Sequence, residues 1–209
     1  GGPMAPMTEH LPELALAAAL AWGAGLRLYM VCFGFGLAHW LGVWPLPEHL
    51  AMLSHPLVMG ASGFMAFVEL FADKLPWLDS VWDAAHTLVR IPAGAALAAG
   101  VFGDAGGAVA LAAALLGGSV TAATHFSKAG ARAAVNTSPE PFSNIALSLG
   151  EDAAVLGGGW LAMTHPLVFL GALAVFLVLG LTVLWLVVRS ARRLFARKPR
   201  LDDARASGR

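Results

Sequence analysis

Phe67-Val68-Glu69-Leu70-Phe71-Ala72-Asp73-Lys74-Leu75-Pro76-Trp77-Leu78-Asp79-Ser80-Val81-Trp82-Asp83, followed by His86 and Arg90, sets a run of ionisable residues into an otherwise apolar chain. The rest of the sequence identifies the solvent as lipid: 58% of residues are hydrophobic, 12% are charged and the mean hydropathy is +0.71. A soluble domain is about 45–50% apolar and about 25% charged. A charge at the bilayer centre costs about 2.5 to 3.5 kcal/mol on insertion scales, so intramembrane acids and bases face partners, a cavity or a pathway. The stretch therefore predicts an all-α, polytopic transmembrane helical bundle with a polar interior. The 209 residues hold five or six spans of ~20 residues and no separate soluble domain.

The remaining composition excludes several classes. Net charge is zero, so no nucleic-acid partner is expected. Cys32 is the single cysteine, which removes intrachain disulfides and multi-cysteine metal sites. No His-x-x-x-His, Gly-Lys-Ser, Gly-x-Ser-x-Gly or dinucleotide fingerprint occurs, so no metal, no cofactor and no enzymatic activity are expected.

Spans are read outward from the opening stretch. Gly1-Gly2-Pro3 reads as a tag remnant, residues 1–13 as a tail, 14–196 as the membrane domain and 197–209 as a basic cytoplasmic tail. The first span covers about Leu14 to Val43, with Gly23, Gly25, Gly34 and Gly36 permitting bending or close contact. Pro45 and Pro47 end it. His55-Pro56 opens a second span that stops near Lys74 and Pro76. From Leu78 to Phe102, Ile91-Pro92-Ala93-Gly94 interrupts the pattern, which predicts one span broken at Pro92 or, alternatively, an interfacial helix followed by a re-entrant hairpin. Three further helices follow over 107–135, 142–163 and 167–188, the last without charge.

Lys and Arg placement orients these spans. Eight of the 13 lie from Arg189 onward, so the C-terminus is expected to be cytoplasmic, in the inner (plasma) membrane. Six spans then put the N-terminus inside as well; five would put it outside. A six-span chain divides into a possible 3+3 inverted repeat, supported by Ala15-Leu16-Ala17-Ala18-Ala19-Leu20 recurring as Ala110-Leu111-Ala112-Ala113-Ala114-Leu115. Ser54-His55-Pro56-Leu57-Val58 and Thr164-His165-Pro166-Leu167-Val168 also match, out of register with the first pair.

The candidate site residues fall in stripes. Asp79, Asp83, His86 and Arg90 share one helical face, lining a wet path or, on the bland reading, facing interfacial water. Glu69 and Asp73 are four apart and suit proton or cation binding; the bland reading is a charged helix end at the headgroups. Glu151-Asp152 sits mid-helix among glycines and needs a cation, a proton or a basic partner. Arg27, central in the first span, is the natural candidate, either paired structurally or meeting an anion. His125, Lys128 and Arg132 also share a face. Snorkelling accounts for the two cations, and His125 is either a proton relay or a hydrogen-bonded core histidine.

The opening stretch, with its Glu-x-x-x-Asp-Lys-x-Pro-x-x-Asp string and the following His86, Arg90, Pro92, Ala93 and Gly94, resembles a family of small bacterial integral membrane proteins described only as a domain of unknown function. The resemblance covers about Leu14 to Val187 and implies a membrane module without naming an activity.

Two functions fit the residues. One is a small transporter or channel, proton- or cation-coupled, taking a small ion or molecule at Glu69, Asp73, Asp79, Asp83, His86, Arg90, Glu151, Asp152, Arg27 and His125. The other is a non-transporting scaffold or assembly factor with structurally paired charges. A water-filled cavity touching the acids favours the first, and tight pairing favours the second. Gly and small-residue stripes predict a homo-oligomer.

Overall fold

The computed structural model describes residues 7–138 and 140–196. The expected tag remnant at 1–3 and basic tail at 197–209 lie outside them. Among the described residues the chain is all-helical, with six α-helices and no strand: α1 Leu11–Trp40, α2 Pro56–Ala72, α3 Leu78–Val101, α4 Gly107–Val135, α5 Phe142–Thr164 and α6 Pro166–Ala196. A 3₁₀ segment, Glu48–Ser54, precedes α2 and meets it at 65°. The helices α1, α3, α4 and α6 are long and apolar enough to cross a membrane, and the bent pair adds a fifth candidate.

Local chemistry sets the ends. Pro56 and Pro166 open α2 and α6, where a missing N–H costs nothing because first-turn amides have no partner in the helix. His55 caps α2 by accepting from the Leu57 amide. Trp77, at φ +71, turns the chain tightly between α2 and α3. A left-handed bulky residue costs on the order of 1–3 kcal/mol and persists only where its surroundings demand it. Here it returns the chain so that the Asp79 carboxylate and the Asp73 carbonyl both lie beside Arg132.

The main departure from the sequence expectation is in the first span. Arg27 has non-helical torsions (φ −144, ψ 71) and divides α1 in two. A Cβ on Gly23 would sit 2.6 Å from Val31 Cγ2, although eight residues along a straight helix span about 12 Å. Adjacent Gly158 and Gly159 of α5 face Trp22 and Phe35 respectively, residues that a straight helix would separate by about 20 Å. The helix therefore folds back on itself at Arg27. Ala15 and Ala19, near its start, pack with Ala162 and Phe169 beside the α5–α6 turn. Beyond its end, His49 pairs with Asp104 in the α3–α4 turn. Both ends of α1 thus lie on one side of the bundle, with Arg27 at the buried apex.

Three expectations change with this bend. The first segment is a hairpin rather than a span, so the start of α1 lies beside the start of α6 and opposite its C-terminal end; the two are not on one side. The interruption expected at Pro92 is absent, because α3 continues through it. The inverted repeat also fails. Thr121 donates to the Ala21 carbonyl at 2.7 Å and Lys128 to that of Leu26 at 2.8 Å, so the first half of α1 runs parallel to α4, whereas inverted halves would run opposite.

Candidate functional site: a buried ion-pair network

The apex of the α1 hairpin closes over the charged halves of α2, α3, α4 and α5. Arg27, 1% exposed, is the hub. One guanidinium nitrogen bonds Asp73, another donates to the Ser148 hydroxyl at 2.8 Å, and Nε lies 2.9 Å from Asp152. The bend supplies part of this arrangement: the Leu26 carbonyl points away from its own helix and accepts from Lys128 Nζ. That ammonium also lies 3.2 Å from Asp73, 3.4 Å from Asp83 and 3.6 Å from Glu151.

Two further cations complete the layer. Arg90 of α3 bonds Glu69 of α2 and, at 2.8 Å, Asp83 two turns earlier on its own face of α3. Arg132 of α4 forks onto Glu151 at 3.2 and 2.8 Å, the bidentate geometry that guanidinium and carboxylate share. Its third nitrogen donates to the Asp73 carbonyl at 2.6 Å and lies 3.5 Å from Asp79. Asn136 donates to Asp79 at 2.7 Å and accepts from Asn144 at 2.6 Å. Lys74 is half-buried and donates to the Leu70 carbonyl, with Ser148 at 3.4 Å.

The structure brings Arg27, Glu69, Asp73, Asp79, Asp83, Arg90, Glu151 and Asp152 into one cluster. The bland readings of the first two acidic stripes fall here: Glu69, Asp73, Asp79, Asp83 and Arg90 are all at most 1% exposed, so they reach neither interfacial water nor headgroups. Snorkelling is also overturned, since Lys128 and Arg132 are 3% and 0% exposed and their partners lie inside the bundle. His86 and His125 sit at the margin. His86 meets the Tyr29 hydroxyl and the Trp82 carbonyl, each at 2.9 Å, and stacks on the Trp82 ring. His125 meets the Thr87 hydroxyl at 2.8 Å and Arg90 at 3.3 Å.

Sequence reasoning missed Lys128 and Arg132 as network members, and Asn136, Asn144 and Ser148 altogether. The spacing of His125, Lys128 and Arg132 on one face of α4 was the available signal for the first two. The amides carry no periodic signal of their own; they lie where α4 and α5 meet the turn between them.

Charge does not balance within the cluster. Six carboxylates (Glu69, Asp73, Asp79, Asp83, Glu151, Asp152) share the layer with five basic side chains: Arg27, Arg90, Lys128 and Arg132, which pair with them, and Lys74, which joins through the Ser148 hydroxyl. These five are all the Lys and Arg that precede Arg189. Glu69 Oε2, Asp73 Oδ1, Asp79 Oδ2, Asp83 Oδ2 and Asp152 Oδ1 are buried and accept no hydrogen bond from any described residue, and Nε of Arg27 and of Arg90 donates none. No group of His, Cys, Asp and Glu among the described residues has the geometry to hold a metal ion.

These features define a helical membrane-type protein organised around a buried ion-pair network. The chain belongs to the family of a domain of unknown function, DUF4126, whose model matches residues 14–186. No curated protein and no solved structure matches it.

Proposed function

We propose that the protein is a small proton-coupled membrane transporter in which the Arg27 network is the proton-binding site. The observation that carries this reading is the excess of one carboxylate, with five buried carboxylate oxygens left without a hydrogen-bond donor. An uncompensated buried charge is strongly unfavourable, so the extra negative charge calls for a positive charge from outside the chain, and a proton is the smallest that can reach a fully packed layer. The hairpin supports the same reading: irregular backbone at membrane depth is tolerated where it is buried in protein or lines a path, and broken helices of this kind are found at transporter binding sites. With the Arg-rich end of α6 on the cytoplasmic side, the hairpin enters from outside and five helices cross.

Glu69→Gln makes the count five to five while Arg90 keeps Asp83. The variant should fold, lose the infrared carbonyl band of a protonated carboxylic acid, and lose solute-driven proton movement in vesicles held under a pH gradient. A wild-type protein without that band at neutral pH, or a Glu69→Gln variant that moves protons as the wild type does, overturns the proposal.

The alternative reading, a non-transporting scaffold, draws on the tight pairing of the network. It becomes the better one if the band is absent and no solute moves protons.

A further inference from the structure

A second feature lies on the other side of the hairpin apex. A cavity of about 650 Å³ opens between the second half of α1, the Glu48–Ser54 segment, α2 and α3, within the roughly 300–1,000 Å³ of small-molecule sites. Its walls are apolar: Leu53, Val58, Met65, Ala93, Ala96 and Leu97 all face it. Met52 and Leu57, 66% and 77% exposed, stand at its mouth.

The polar atoms of the lining are already engaged. The Tyr29 hydroxyl is held by His86 at 2.9 Å, and Ser62 donates back to the Val58 carbonyl at 2.7 Å. At the opposite end, His49 Nε2 pairs with Asp104 Oδ1 at 2.9 Å, both side chains substantially exposed. The cavity thus has a polar rim beside the α3–α4 turn and a dry interior that runs along α3 from Gly100 to Ala93, towards the middle of the bundle. An acyl chain in one leaflet has the same polarity profile along its length.

We propose that this cavity holds one acyl chain of a membrane phospholipid, its headgroup at the His49–Asp104 rim and its chain end against the Tyr29 ring. Interior polar groups without a free valence select a hydrocarbon over a hydrogen-bonding solute, since a polar ligand would be desolvated there without compensation. The Asp104 carboxylate at the rim disfavours a free fatty acid, whose like charge it would face, and accommodates the cationic group of a zwitterionic head.

Cys32, the single cysteine of the chain, lines the cavity and reports on it. In delipidated, detergent-solubilised protein, palmitoyl lysophosphatidylcholine should slow alkylation of Cys32 by about tenfold, with one lipid retained in native mass spectra. Ala96→Phe should fill the space and abolish retention, whereas Leu115→Phe on the exposed face of α4 should leave it intact. Unprotected Cys32 in the wild-type protein, stronger protection by palmitate than by the lysophospholipid, or full retention in a folded Ala96→Phe variant overturns the assignment. Should Ala96→Phe fail to fold, the wild-type protection experiment decides alone.

Discussion

Lys128 donates to the Leu26 carbonyl across the α1–α4 contact at 2.8 Å, so one side chain both caps the bend in α1 and neutralises the acids beneath it. Removing it leaves a buried carbonyl without its donor and widens the charge imbalance to two. Breaking one partner out of a buried ion network costs about 3–5 kcal/mol. Lys128→Met should lower stability to denaturant by that amount, and Lys128→Arg by less. A Lys128→Met variant as stable as the wild type would show that the bend holds without its cap.

The hairpin places the start of α1 and the end of α6 on opposite sides. In a Cys32→Ser background, Glu9→Cys and His49→Cys should label from one side of the membrane and Arg193→Cys from the other. Labelling of Glu9→Cys and Arg193→Cys from the same side would restore a straight first span.

Packing of α3 on α4 depends on Gly94. A Cβ there would fall inside the Thr121 side chain, which itself is pinned to the Ala21 carbonyl. Gly94→Ala should destabilise by about 1–3 kcal/mol, as overpacking does, and Thr121→Ala in the same chain should recover part of the loss. A double-mutant cycle in denaturant tests this, and strict additivity would refute it.

Glu140 caps the start of α5, accepting from the Ser143 hydroxyl and, at 3.0 Å, from the Ser143 amide. These hydrogen bonds, the side-chain one foremost, hold its carboxyl below the usual glutamate range. A depressed acid stabilises the fold above its unfolded value and loses that contribution as pH falls through the folded one. Protection of the Ser143 amide from hydrogen exchange should therefore weaken as pH drops below the ordinary glutamate value, and Glu140→Gln should flatten the dependence. Equal pH profiles in the two proteins would exclude the cap.

Much of the site was legible from the sequence and little of its topology. Buried charge in an apolar chain is conspicuous, so Glu69, Asp73, Asp79, Asp83, Arg90, Glu151, Asp152 and Arg27 could be assigned to one polar interior. The break could not be placed. Pro92 carries the usual local signal, yet a proline removes one hydrogen bond and neighbours can absorb that loss. At Arg27 the cause is tertiary: acids from α2 and α5 hold the guanidinium and Lys128 holds the freed carbonyl. Only Gly23 and Gly25 nearby, and a first apolar run longer than one crossing needs, hinted at it. Lys128 and Arg132, read as charges snorkelling to headgroups, serve the interior instead, and the N-terminus changes side because the first segment turns back at Arg27.

Arg27 is separated by 46 residues from Asp73 and by 121 from Ser148. During synthesis, at about 5–20 residues per second, the first hydrophobic segment therefore emerges many seconds before the groups that neutralise it exist. It cannot settle as a hairpin on its own, because its apex would carry a lone guanidinium into hydrocarbon. Completion of the hairpin is then a late event in biogenesis, gated by the arrival of α5, and a nascent chain halted before Phe142 should hold this segment in a different place from the finished protein.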